Sequence, residues 1–211
     1  MKKLDQDDAP AFGLATGTKA SEKQLHDATA RLSFRRSRDV LPTKITTSRL
    51  TLRAPIRGDV PALVALADNK NIASRLSRLP SPYTRADAIG FVEIFAQRAD
   101  ERPYAITLNG TDLIGVVGFS YAMGQYPELG YWLGEPHWGK GIMSEAVKGL
   151  LEAAFATSHY PVVRARALTD NAASIHVLEK AGFRKTGEAE MDRFGTNQGK
   201  PIFQFRLERP R

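Results

Sequence analysis

Apolar positions along this chain change period several times, and each change marks an element. Leu50, Leu52 and Ala54 alternate with Thr51 and Arg53 ahead of Pro55, the two-residue period of a half-buried strand. Beyond Asp59, the residues Val60, Leu63, Val64 and Ala67 recur at helical spacing, with Pro61 early enough to sit in a first turn. Thr84 and Asp87 have the spacing of a capping box, and Ala88, Phe91, Val92 and Phe95 continue one helical face behind them. Tyr104 to Leu108 and Leu113 to Phe119 flank Asn109-Gly110, a dipeptide suited to the positive φ angles of a type I′ turn, so a hairpin is predicted. Glu128 to Leu133 reads as a further strand. Met143, Ala146, Val147, Leu150, Leu151 and Ala154 then form the apolar face of an amphipathic helix. Val162 to Leu168 is strand, Ala172 to Ala181 is helix stopped by Gly182, and Ile202 to Leu207 alternates again as the last of two closing strands.

Residues 1 to 44 read differently. Apolar residues are sparse, small residues cluster in AFGLATGTKAS, and the mixed-charge run ends in RRSRDVLPTK. That composition predicts a poorly anchored extension, with a helical piece where Leu25, Ala28 and Leu32 are suitably spaced, and a single folded domain over 45–211. The alternation of strands and helices places that domain in the α/β class, of α+β type.

Composition narrows the setting. Hydrophobic residues at 42% and charged residues at 25% are ordinary for a soluble globular chain. No apolar run approaches the ~18 residues of a membrane span, and MKKLDQDDAP lacks the apolar stretch of a signal peptide, so a cytoplasmic protein without membrane association is expected. The chain has no cysteine, which excludes disulfides and thiolate chemistry and fits a reducing compartment. The formal charge of +7 raises nucleic acid as a partner, but the basic residues are scattered and not interleaved with aromatics, which argues against it. His137, His159 and His176 lack partners at metal-ligand spacing, so no metal is expected.

One segment carries chemistry of its own. In HWGKGIMSEA a glycine-rich turn opens a helix directly after a strand, leaving amides without intrahelical acceptors at the positive end of the helix dipole. Such a place binds phosphate. Gly139 and Gly141 let the backbone approach an anion closely, and Lys140 adds a cation. A dinucleotide fingerprint would need glycine where Ser144 stands, and the Gly-Lys-Ser/Thr ending of an ATP loop is absent. Taken alone, the two glycines could equally be turning the chain into its helix.

Four segments in order, TSRLTLRAP, LIGVVGF, ELGYWLGEPHWGKGIMSEA and NAASIHVLEKAGF, resemble the GNAT superfamily of N-acetyltransferases, and within it the branch of ribosomal-protein N-terminal acetyltransferases. The resemblance spans about Thr47 to Arg209. It implies a mixed, mostly antiparallel twisted sheet of about seven strands flanked by about four helices. In that family the strand before the loop and the strand after the helix splay apart, and acetyl-CoA lies in the gap. The resemblance places the pyrophosphate against Trp138, Gly139, Lys140, Gly141, Ile142 and Met143, and the pantetheine arm against Leu133 and Asn171. Asn171 also suits a helix cap on its own account.

The same resemblance implies acetyl transfer to a primary amine, a protein N-terminus or a small molecule, by direct attack in a ternary complex. Such transfer needs a route for the amine proton and an acid for the departing thiol. Glu128, at the start of the strand bordering the gap, matches the position of the family's general base; it reads equally as a surface glutamate, and Glu135 is a weaker rival. Ser174, three residues after Asn171 and on the same helical face, is assigned as the thiol-side acid. Two positions depart from the family pattern: Pro136 stands where Gln or Arg is common, and Leu178 where many members carry a tyrosine acid. The missing tyrosine keeps an acyl-CoA-binding sensor with little catalysis as the alternative. Trp132 and Trp138 are expected to pack about the cofactor strand, Tyr121 and Tyr131 to border the acceptor pocket, and the assembly to be a monomer or homodimer.

Overall fold

The computed structural model describes residues 18–108, 110, 112–191 and 197–210, with side chains from residue 27 onward. Helix α1 (Thr18–Asp39) leads into strands β1 (Lys44–Thr46) and β2 (Leu50–Arg53). Helices α2 (Val60–Ala67), α3 (Lys70–Ala73) and α4 (Arg85–Glu93) follow. The chain then forms β3 (Glu101–Leu108), β4 (Leu113–Ser120) and β5 (Glu128–Leu133). Helix α5 (Ile142–Thr157), β6 (Val162–Leu168), α6 (Ala172–Lys180), β7 (Arg184–Glu190) and β8 (Pro201–Glu208) complete it. The eight strands form one sheet in the order β1-β2-β3-β4-β5-β6-β8-β7, antiparallel throughout except where β5 runs beside β6.

The helical and strand periods predicted above appear with small shifts at their ends. Thr84 and Asp87 close the expected capping box, with the Thr84 amide donating to Asp87 Oδ2 at 2.8 Å and the Asp87 amide returning to Thr84 Oγ1 at 3.3 Å. Helix α4 stops at Glu93, and Phe95 falls in a separate 3₁₀ turn, where it stacks on Phe91. Asn109 of the hairpin turn lies outside the described residues; its neighbour Gly110 has φ of 77°. The additional strand β1 escaped a periodicity reading because it has only three residues, too few to display an alternation.

The leading helix also differs from its expected face. Leu32 is exposed and Ala28 with it, while Leu25 lies outside the described side chains. The residues turned inward are Ala30, Phe34 and Leu41, spaced so that they share one side of the helix and its exit. Tyr160 donates its hydroxyl hydrogen to the Ser37 carbonyl, and Arg102 Nη2 reaches the carbonyls of Leu41 and Pro42 at 3.1 and 3.0 Å. Residues 28–44, read above as part of a loosely attached leader, thus supply contacts to the sheet.

Helices α5 and α6 cover one face of the sheet, over a core that includes Tyr104, Phe119, Leu150, Leu178 and Phe205. Helices α2 and α4 cover the other face at β3 and β4, through Leu63, Ala88, Val92, Ala105 and Val116, with Trp132 packed at the edge. Gly149 lets α5 lie close on β1, since a Cβ there would come within 2.6 Å of Thr47 Cγ2. The consequence for the site is the position of β5: it stands between both helical layers, with its C-terminal end aimed at the turn that starts α5.

Candidate active site

Strands β5 and β6 pair only at Glu128 with Arg164 and Leu129 with Ala165. Beyond Leu129 the two strands part, and β6 is instead paired along its whole length with β8. The remainder of β5, Gly130 to Leu133, therefore has β4 on one side and a gap on the other. Unpaired parallel edges of this kind leave backbone groups that need another partner.

The glycine turn stands at the mouth of this gap. Gly139 and Gly141 both hold left-handed backbone, at φ of 73° and 68°, a conformation that a side chain resists. Gly141 is the N-cap of α5 and offers no side-chain bond to the helix, so the first amides, Ile142, Met143 and Ser144, keep hydrogens that the helix itself does not use. Pro136 enters the loop in a 3₁₀ turn, Glu135–His137, and its carbonyl accepts from Lys140 Nζ at 2.8 Å, which holds that ammonium over the turn. The Trp138 indole N–H donates to the Leu133 carbonyl at 2.7 Å, tying the loop to the end of β5 while the ring stays 39% exposed. All six loop residues expected around an anion are thus in one place.

A second set of contacts, absent from the sequence reading, stiffens that turn. Glu145, in the first turn of α5, accepts at Oε1 from Thr47 Oγ1 (2.6 Å), Ser48 Oγ (2.9 Å) and the Arg49 amide (2.9 Å), and at Oε2 from Arg49 Nε (2.7 Å). Arg49 Nη1 also reaches the Lys140 carbonyl at 3.1 Å. Burial raises the carboxyl's pKa, but the hydrogen bonds from Thr47, Arg49 and Ser48 outweigh it and hold the group at about 2. An acidic residue in a helix's first turn was the only local signal of this role.

The far wall of the gap is α6. Asn171 caps it, its side-chain oxygen accepting from the Ser174 amide at 3.2 Å, so the cap role read from the sequence is present. Ser174 Oγ lies 2.9 Å from the Tyr131 hydroxyl, which also meets the Ser174 carbonyl at 3.1 Å. Tyr131 therefore faces α6, on the side of the sheet opposite the α2 and α4 layer. Tyr121 is buried, with its hydroxyl 2.9 Å from that of Tyr160. Trp132 points the other way, into the α2 and α4 cluster. Leu178 is fully enclosed in the core beneath α6, where a phenol would have no water and no room.

Glu128 sits at the first of the two paired positions, one residue before the last pair and the parting of the strands. Arg166 Nε donates to its Oε1 at 2.8 Å and Arg164 Nη2 to its Oε2 at 3.3 Å. These ion pairs come from the neighbouring strand, 36 and 38 residues away, and no local pattern announced them. A carboxylate has about four lone-pair sites, so each oxygen keeps acceptor capacity. Glu135 is an anchor instead: Asn69 Nδ2 (2.6 Å) and Asn71 Nδ2 (3.1 Å) bind it, and those bonds hold its carboxyl below the usual range. Beside it a cleft of about 320 Å³ is lined by Ala65, Leu66, Asn69, Glu135 and Pro136. Among the described residues no three His, Asp or Glu side chains converge as metal ligands would, and no helix is long and apolar enough to cross a membrane.

Residues 49–184, well over half of the chain, match the family described as the acetyltransferase (GNAT) domain. The chain belongs to the GNAT family of acetyltransferases. An uncharacterized N-acetyltransferase of Bacillus licheniformis is 30% identical over 146 residues, 67% of this chain and 82% of the relative. Among solved structures, RimL, a ribosomal L7/L12 α-N-protein acetyltransferase in complex with coenzyme A, superposes with a TM-score of 0.69 at 22% identity, covering 78% of this chain and 97% of that one. Spermidine N-acetyltransferase from Vibrio cholerae, in complex with CoA and spermine, gives 0.65 at 22% identity over 77% and 97%. At these identities the structural likeness establishes the fold. Membership in the family makes the chain an acetyl-CoA-dependent N-acetyltransferase, and the open gap beside a loop of free amides is the part of this GNAT domain that fits such a donor.

Proposed function

We propose that this GNAT protein transfers the acetyl group of acetyl-CoA to a primary amine within a ternary complex, using the gap beyond Leu129 as its donor channel. The observation that carries the reading is the parting of β5 and β6 at the foot of a positive-φ glycine turn. The amides of Gly139 to Met143 face the pyrophosphate at the α5 N-terminus, and Lys140 and Trp138 flank it. Leu133 and Asn171 line the pantetheine path from β5 and α6. Bound acetyl-CoA supplies the activated thioester. Glu128 receives the amine proton through a water, its carboxylate being held at the edge of the gap by Arg164 and Arg166. Ser174 faces the sulfur side and gives its proton to the departing thiolate, the serine being re-protonated from solvent as Glu128 releases the amine proton, with Tyr131 behind it.

Two fold neighbours of different kinds, one acting on a protein α-amino group and one on a polyamine, support a primary amine as the acceptor class. A thiol-release screen of acetyl-CoA against peptides, polyamines and amino acids tests the activity directly. Release with at least one primary amine, and none with its N-acetylated form, is expected. Tight acetyl-CoA binding with no release across the panel would sink the reading and select a binding-only protein, consistent with the enclosed Leu178.

A further inference from the structure

The sheet registers bring one line of charge across the face that α2 and α4 leave uncovered. Ser120 on β4 pairs with Glu128 on β5, Glu128 with Arg164 on β6, Arg164 with Arg206 on β8, and Arg206 with Arg184 on β7. Directly paired residues point to the same face, so these side chains form a lateral row. Arg166 joins it from the next position through its bond to Glu128. The apolar cluster under α2 and α4 reaches no further than Trp132, and the side chains of Arg164 and Arg206 are 38% and 44% exposed. Arg206 stacks over Tyr126 at 5.6 Å, with Glu208 at 3.5 Å. The guanidiniums of Arg164, Arg184 and Arg206 thus share this face of the sheet with the carboxylates of Glu128 and Glu208.

We infer that this arginine row receives the segment behind the acceptor amine, and that the acceptor is a polypeptide N-terminus followed within its first few residues by Asp or Glu. The inference rests on the proposed acetyl transfer and names its substrate class. An amine attacking in the gap beyond Leu129 must come from this face or its edge, and the chain behind it passes Arg164, Arg206 and Arg184. Neighbouring strands lie about 4.8 Å apart, so the step from Arg164 to Arg184 spans about 10 Å, the length of about three extended residues. A single small carboxylate meets one arginine of the row; an extended acidic segment meets all of them. A polyamine, carrying its remaining ammonium groups along the chain behind the reacting nitrogen, is repelled by the same row.

The test uses the full chain and a set of peptides with one shared N-terminal residue and with residues 2 to 5 acidic, neutral or basic. Wild type is expected to acetylate the acidic peptide with kcat/KM about tenfold above the basic one, a preference that shrinks at high salt. In a double charge reversal, Arg184→Glu with Arg206→Glu, the order inverts while the neutral peptide changes less than about twofold. Anisotropy with the same labelled peptides reads binding independently of turnover. No turnover of any peptide, with charge-ranked binding intact, defeats the proposed reaction and leaves this surface standing. Equal binding and turnover of all three peptides, or a ranking the reversal leaves unchanged, overturns the inference.

Discussion

The Tyr131 hydroxyl lies 2.9 Å from Ser174 Oγ, joining the strand on one side of the gap to the helix on the other. Burial pushes the phenol up to about 12, against a smaller opposing effect of the Ser174 bond, so the tyrosine keeps its proton through the neutral range. When the phenol gives its one hydrogen to Oγ rather than to the Ser174 carbonyl 3.1 Å away, the serine's own hydrogen is free to turn toward the gap. Ser174→Ala should therefore lower kcat by about 10- to 100-fold with little change in acetyl-CoA affinity, and Tyr131→Phe by a smaller factor. Because the tyrosine acts through the serine, the double variant should be no slower than Ser174→Ala alone. Steady-state thiol release checks this; losses that multiply in the double variant would separate the two residues.

The glycine turn is vulnerable through its backbone rather than its volume. A Cβ on Gly139 meets nothing within 4 Å, and one on Gly141 meets only Arg49 Nη2 at 3.8 Å. Alanine at either position should still cost about 1 kcal/mol, because left-handed φ is strained for it, and should weaken acetyl-CoA binding about tenfold or more as the amides turn away. Calorimetric titration and thermal unfolding read both effects. Unchanged affinity in both variants would remove the loop from the donor site.

The Glu145 clamp sets a pH signature. Its folded pKa of about 2 lies below the ordinary value of 4.5, so the charged form is the one the fold favours. Its contribution is complete above about pH 4.5 and disappears as the pH falls toward 2. Glu145→Gln should cost about 2 kcal/mol at pH 7 and progressively less below pH 4.5. Urea unfolding at pH 7, 4.5 and 3 measures the difference, and a deficit independent of pH would contradict the assignment.

Close approach of α5 to β1 gives a paired prediction. Gly149→Ala places a methyl against Thr47 Cγ2 and should destabilise by about 1–3 kcal/mol despite alanine's better helix propensity. Thr47→Ser removes that methyl while keeping the hydroxyl that binds Glu145, and should recover most of the loss in the double variant. Additive destabilisation in denaturant melts would rule out the contact.

Restoring the family tyrosine at Leu178 should fail. The residue is fully buried, so a phenol there overfills the core and strands its hydroxyl, at a cost of about 2 kcal/mol or more, with no gain in turnover. A faster Leu178→Tyr enzyme would show that the site can use that position.

Much of this molecule was legible along the chain because its signals are local. Helix α5 announces itself by Met143, Ala146, Val147, Leu150 and Ala154, the turn by Gly139 and Gly141, and α6 by the Asn171 cap and Gly182 stop. Those features depend on neighbours within a turn or two, where spacing alone sets which side chains meet. The partners of the same residues do not. Glu145 is held by Thr47, Ser48 and Arg49 from nearly a hundred positions upstream, Glu128 by arginines on the next strand, and Ser174 by Tyr131 across the gap. The arginine row exists only through three strand registers, and the inward face of α1 only through what it packs on. Periodicity tells a residue which way to face, while chain topology chooses what it faces, and the charge environment of the site belongs to the second.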